Sequence, residues 1–351
     1  MYILSAACIS PQDTFAHSDA FPSVRILEGN RWACMEPDYK TCIADATLRR
    51  RMSRIVKMGV AAALRCVDLA GAQPDAIITA TGLGCLSDTE KFLDTLISNE
   101  RQLNPTPFIQ STFNTVGAQI ALMLGNHGYN NTYVHRGFSF ESALLDAMMQ
   151  VNEGAARVLA GCFDETTDTG FEIMQRLGFW KDGLAGSDQL YTRQTKGSAS
   201  GEGSTFLMLG SQPVKDRLRI RISGVRFFSA PAGNGSVDAQ VAAFLASVKK
   251  SADDTDLLVW GNNGDTFDDA IYRRLISRSF PKKPYCFFKN LCGEYHTASG
   301  FALYLAFRIL AAQCVPRDVT CFGHVPAKIG SVLIYNHYQN INHSLIRLEV
   351  C

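Results

Sequence analysis

Short apolar runs alternate with longer helical patterns along this chain, and the same programme runs through twice. In the first pass, residues 75–81 (DAIITAT) lead through Gly82-Leu83-Gly84 into a helical pattern over 89–100. Residues 131–136 (NTYVHR) lead into another helix over 141–154, and 157–163 and 205–210 are two more strand-length runs. A Gly/Ser/Thr-rich loop from Gly183 to Ser204 separates that last pair. In the second pass, strands over 219–228 and 256–261 are each followed by a helix, over 238–250 and 268–280. The segment 298–313 is apolar nearly all round, which predicts a buried central helix. Strands over 319–325, 331–338 and 343–350 close the chain. This alternation predicts parallel strands covered by helices on both faces. Two halves of similar order, meeting near residues 205–218, predict an internally duplicated α/β fold with units 1–210 and 211–351.

Composition narrows the function classes. At 351 residues, 46% hydrophobic and 19% charged, the chain has the make-up of an ordinary globular protein with a large core. A net charge of +1 gives no basic stripe for nucleic acid. The longest apolar stretch, 301–307, is cut by Arg308 and is too short for a membrane span. The first ten residues lack the basic region of a signal peptide and predict a buried first strand. Eleven cysteines without C-x-x-C spacing predict free thiols in a reducing cytoplasm, and seven dispersed histidines suggest no metal site. Gly201 and Gly203 in GEGSTFLML lack the spacing of a phosphate loop, and neither a Walker A sequence nor a G-x-S-x-G elbow occurs.

Five segments acquire meaning together. GLGCLS after a buried strand, NPTPFIQSTFNTVGAQIALMLGNHGY, NTYVHRGFSFESALLDAMM, GEGSTFLML and KNLCGEYHTASG stand in the order found in β-ketoacyl synthases. The chain resembles that family over nearly its whole length. The resemblance implies a thiolase-like, internally duplicated αβαβα five-layer sandwich.

The resemblance also implies where a catalytic triad would stand. The family's nucleophile is a cysteine at the turn between a strand and a central helix, where the helix N-terminus lowers the thiol pKa and amides form an oxyanion hole. Matching Ala143, Ala147 and Gly154 puts that position at Gly137, and a one-residue slip makes it Phe138. Neither residue can attack a thioester. Aligning Asp256 and Asp269 puts the first catalytic histidine at Gly261, in a stretch without an imidazole. Lys289, Gly293 and Gly300 keep the family's Lys-x-x-x-Gly-His-x-x-x-Ala-x-Gly pattern, but Glu294 replaces its histidine. A carboxylate there opposes a developing enolate unless burial raises its pKa.

Other residues have competing roles. Lys289 is expected to pair with Glu294 or to hold the loop through a buried ion pair. His296, two residues on, is expected to face away from the Glu294 position if the segment is helical. Cys162 is expected to be a buried strand residue. Cys85 and Cys292 are the candidates for a relocated nucleophile, though no histidine is placed to activate them. Of the family's C-terminal Gly-Phe-Gly-Gly-Thr-Asn loop only Asn342 survives, with Tyr338 at the aromatic position. Without glycines the loop cannot keep the same open backbone, so the entrance is expected to be closed or reshaped.

Together these substitutions imply a non-catalytic, chain-length-factor-type subunit of a polyene, polyketide or fatty-acid-like pathway. Its implied partners are an active ketosynthase in a heterodimer, or itself in a homodimer, and an acyl carrier protein. No cofactor is implied beyond the phosphopantetheine of a carrier bound by the partner. Leu83, Leu86 and Phe92 are the candidates to shape a tunnel or interface, with Phe138 and Phe140 beside the lost nucleophile. The alternatives are a homodimeric acyl-binding or scaffold protein and a thioester enzyme using Cys85 or Cys292.

Overall fold

In the computed structural model, which describes residues 1–17, 21–99, 101, 103–215, 217–229 and 236–351, the first strand sorts its side chains into two cores. On β1 (Tyr2–Ile9), Ala6 and Cys8 enter one apolar cluster while Ala7 and Ile9 enter another. A bulge between Ile3 and Ser5 resets the phase, so that Ile3 joins Ala6 and Cys8.

The other strands are β2 (Ala76–Ala80), β3 (Tyr129–Tyr133), β4 (Arg157–Asp164), β5 (Gly203–Gly210), β6 (Ile220–Ser229), β7 (Leu257–Trp260), β8 (Tyr285–Phe287), β9 (Cys321–Phe322), β10 (Ser331–Tyr338) and β11 (Asn342–Val350). Among the described residues they hydrogen-bond in the order β3-β2-β4-β5-β1-β6-β11-β10-β7-β8-β9. Outward from the centre, the first five strands run 1-5-4-2-3 in order of appearance. From β6 the second set, β6-β11-β10-β7-β8, runs 1-5-4-2-3 again, with β9 added outside. The two sets touch where Tyr2 pairs with Arg221.

The helices are α1 (Ala46–Arg51), α2 (Arg54–Ala70), α3 (Leu86–Ser98), α4 (Pro105–Gln110), α5 (Thr115–Leu124), α6 (Ser139–Asn152), α7 (Asp168–Arg176), α8 (Val237–Ser247), α9 (Ala270–Arg278), α10 (Lys289–Cys292) and α11 (Ala298–Ala312). Three apolar clusters define their layers. One joins α2 and α5 to the outer face of the first strand set, and another joins α8 and α9 to the outer face of the second. Between the sheets, α6 and α11 share one core with both inner faces. That is the αβαβα order expected from the resemblance. Each fully buried Leu or Phe of the middle layer contributes roughly 1.5–3 kcal/mol, so α11, buried nearly all round, anchors the fold.

The structure corrects several sequence expectations. The strands are not all parallel: β1–β5, β4–β5, β10–β11 and β6–β11 pair antiparallel, while β2–β3, β2–β4, β7–β8 and β7–β10 are parallel. β10 and β11 join through a tight hairpin, and the long connection from β4 to β5, which includes α7, returns the chain beside β4 in the opposite sense. The strand expected over 131–136 ends at Tyr133, and the run at 319–325 yields two strand residues. The helix expected over 89–100 starts at Leu86, and Glu100 lies outside the described residues.

Candidate functional site

The buried segment Lys289–Glu294 is placed by β8, the single-turn α10 and Gly293, whose φ of +78° turns the chain. Glu294 then bridges to the Gly-rich loop: its N–H donates to Ala199 O at 2.8 Å, and Gly201 N–H donates to Glu294 O at 3.1 Å. A Cβ at Gly201 would lie 1.9 Å from Cys292 O, so only glycine permits this approach. Lys289 Nζ reaches Glu294 Oε2 at 2.5 Å and His337 O at 3.3 Å. Asn263 Nδ2 donates to the same Oε2 at 3.0 Å, while Oε1 is buried without a hydrogen-bond partner among the described residues. Burial pushes the Glu294 carboxyl above its ordinary value, against the pull of Lys289 and Asn263.

Gly261 and Gly137, which the resemblance aligns with the other two triad residues, have no room for a side chain. A Cβ at Gly261 would lie 2.2 Å from Asn336 Oδ1 and 2.8 Å from the Tyr272 hydroxyl. A Cβ at Gly137 would lie 2.9 Å from Tyr338 Cβ and 3.0 Å from Asn342 Cβ. Between β3 and α6 the chain makes one tight turn, Arg136–Phe138, and the left-handed residue in it is Arg136, with φ 51°. Gly137 is therefore pressed against the β10–β11 hairpin, while Arg136 lines an adjoining chamber of about 340 Å³.

Leu83, Leu86, Glu294, His296 and Tyr338 line this same chamber. A second chamber of about 440 Å³ opens beside it around Asn263, Asp265, Asp268 and Phe267, and Tyr338, Gln339 and Glu294 border both. The C-terminal loop thus sits between them. Gln339 and Asn340 take φ of 52° and 51° without glycine, and Asn340 N–H donates to His337 Nδ1 at 3.1 Å. Strain in non-glycine residues replaces the freedom that the family's glycines supply.

His296 corrects the expectation drawn from helix geometry. It lies in the turn before α11, not on the helix, and stacks on Tyr338 with ring centroids 4.4 Å apart. Burial lowers its pKa below the ordinary imidazole value. Phe92 lies outside the chamber, packed on Phe108 at 5.1 Å, and Phe138 packs on Phe227 at 5.2 Å. Phe140 is fully buried in the middle layer. Of the tunnel candidates, Leu83 and Leu86 face a cavity and these three do not.

The three cysteines weighed in the sequence are buried: Cys162 on β4, Cys85 at the start of α3 and Cys292 on α10. Burial raises all three thiols above their ordinary value, opposite to what a nucleophile needs.

Arg136 is among the chamber residues, with Asp164, Glu165, Phe171, Met174 and Trp180, that no sequence motif marked. At the end of a strand-like run it gave no signal except its place before Gly137, and its φ sign exists only in the folded turn.

Residues 28–179 match the family model described as beta-ketoacyl synthase, N-terminal domain. No curated protein matches the chain in sequence. Among solved structures, the ishigamide ketosynthase/chain length factor superposes with a TM-score of 0.81 at 15% identity, over 100% of this chain and 98% of that one. The complex of the ketosynthase ApeO with its chain length factor ApeC from Xenorhabdus doucetiae gives 0.74 at 16% identity, over 100% and 98%. A beta-ketoacyl synthase from Burkholderia phymatum gives 0.74 at 15%, over 100% and 99%. Identities this low show the fold, and the N-terminal match adds the sequence relationship. The chain therefore has the thiolase-like fold of the ketosynthases throughout, and over residues 28–179 its sequence is similar to the β-ketoacyl synthase N-terminal domain.

Proposed function

We propose that this chain is a non-catalytic ketosynthase-like subunit of chain-length-factor type, which pairs with an active β-ketoacyl synthase in the cytoplasm and shapes its acyl tunnel. The reading rests on the filling of the three triad positions. Gly137 and Gly261 have backbone and side chains where a reactive side chain would stand, and Glu294 is committed to a buried ion pair with Lys289. Acyl groups would reach the complex on the phosphopantetheine of a carrier protein bound by the partner. A polyene, polyketide or fatty-acid-like pathway fits the ketosynthase/chain length factor structures to which this chain is similar.

The edge of the sheet supplies a surface for pairing. β3 is the terminal strand, and Tyr129 on it is exposed. Leu122 of α5 and Leu145 and Met149 of α6 flank it with further exposed apolar side chains. An unpaired edge bordered by apolar residues invites antiparallel pairing with the like edge of a homologous subunit across a pseudo-two-fold axis.

The test is co-expression with a β-ketoacyl synthase from its gene neighbourhood, should one be found there, purification through a tag on this chain, and a malonyl-carrier condensation assay. A one-to-one complex that condenses only while the partner's cysteine is intact supports the reading. A homodimer that consumes malonyl-carrier alone overturns it.

A further inference from the structure

The chamber beside the Arg136 turn contains polar groups that no protein contact uses. Arg136 holds a left-handed backbone, a costly conformation for a residue other than glycine, and its side chain is exposed to the chamber. Among the described residues its guanidinium makes no hydrogen bond and no ion pair. His296 makes no hydrogen bond either. Its ring is fixed between Tyr338 and Gly82, where an added Cβ would fall 2.4 Å from the imidazole Cγ.

Three acids border the chamber: Glu294 is held through Oε2 by Lys289 and Asn263, its Oε1 unpartnered among the described residues, and Asp164 and Glu165 are engaged as follows. Asp164 accepts from the Thr81 hydroxyl at 3.0 Å, Gly82 N–H at 2.8 Å, Thr297 N–H at 2.9 Å and the Thr297 hydroxyl at 2.8 Å. Those four bonds fill a carboxylate's capacity. Glu165 accepts from Ser87 N–H at 3.0 Å, and burial raises its carboxyl to about 7. Leu83, Leu86, Phe171, Met174 and Trp180 supply the apolar part of the wall, beside polar Thr166, Thr167 and Gln339.

We propose that this chamber is a binding site for a small monocarboxylate with an apolar tail, gripped by Arg136 with His296 beside it. The planar guanidinium matches a carboxylate through two parallel hydrogen bonds. His296 offers one more N–H, and the apolar walls remove the tail from water. At about 340 Å³ the space is near the lower end for small-molecule sites, which suits a medium-chain or aromatic acid and excludes a dinucleotide. The site goes beyond the subunit role above and does not depend on it.

The experiment is calorimetric titration of the purified full chain with sodium octanoate and with octanamide, which keeps the tail and loses the charge. The expected result is octanoate binding at millimolar or lower concentration, weakened about tenfold or more in R136A. Octanamide is expected to bind about tenfold or more weakly to the unaltered protein. L83W, which fills the chamber and leaves Arg136 in place, should abolish octanoate binding, and R65A on the far helix should leave it unchanged. Circular dichroism establishes that each variant is folded. Equal octanoate affinity in R136A and the unaltered protein, equal affinity for octanamide, or no heat at millimolar octanoate would each overturn the proposal.

Discussion

Lys289 Nζ lies 2.5 Å from Glu294 Oε2 inside the fold, with Lys289 fully buried and Glu294 5% exposed. The pair joins α10 to the bridge that Glu294 makes with the Gly-rich loop, and Lys289 also reaches the carbonyl of His337 on β10. A residue of the family's pattern thus holds three segments of chain together here. Removing one partner strands a buried charge, which costs about 3–5 kcal/mol. We expect K289M and E294Q each to lower the melting temperature by many degrees, and K289M/E294L to lose less than the sum. Single variants within about 0.5 kcal/mol of the unaltered protein in urea unfolding would exclude a structural role.

Restoring reactive residues one at a time should fail for steric reasons. Gly261→His drives a side chain into Asn336 and Tyr272, and Gly137→Cys presses on Tyr338 and Asn342. Each is expected to destabilise by about 1–3 kcal/mol or more and to give no malonyl decarboxylation. A stable G137C protein that acquires an acyl thioester, read by mass spectrometry, would show that the position is open after all.

Buried histidines and buried carboxylates give opposite pH dependences. Burial lowers His343 from 6.5 to about 4 and puts His337 well below its ordinary value. Their contribution is complete above pH 6.5 and is lost as pH falls toward the folded value. Glu141, buried with neither oxygen hydrogen-bonded among the described residues, is raised. Its contribution is complete below its ordinary 4.5 and is lost as pH rises through the folded value. The unaltered protein should therefore lose stability relative to H343F on acidification, and relative to E141Q as pH rises. Difference curves that stay flat from pH 4 to 8 would contradict both assignments.

The thiols make a prediction by burial. Iodoacetamide at neutral pH should label Cys314 and Cys351, which are exposed, and leave Cys85 and Cys292 unlabelled until the protein is denatured. Rapid labelling of either buried thiol, located by peptide mapping, would revive the reading of a relocated nucleophile.

Leu83 faces the chamber and is 41% exposed, so it can touch an acyl chain. In the complex with an active synthase, L83A is expected to lengthen the products by about one or two chain-extension steps, because truncating Leu removes wall volume. Unchanged product length with intact assembly would reject a gating role.

The sequence by itself determined the alternation of strands and helices and the buried helix over 298–313, because strand and helix periods and apolar character are local properties, while the five-layer order came from the resemblance. The motif order was also legible, since each motif is an identity in a short segment, while Gly137, Gly261 and Glu294 stand as substituted positions only by the resemblance. Strand direction was not legible: the hairpin at 339–341 and the long β4–β5 connection through α7 set it, and apolar runs look alike in either sense. Nor was the place of His296, because helix geometry does not govern the turn that Gly293 creates before α11. Tertiary structure alone decided which residues share the chamber. Leu83, Arg136, His296 and Tyr338 come from four separate segments, and only the stacking of the two sheets around α6 and α11 brings them within reach of one small ligand.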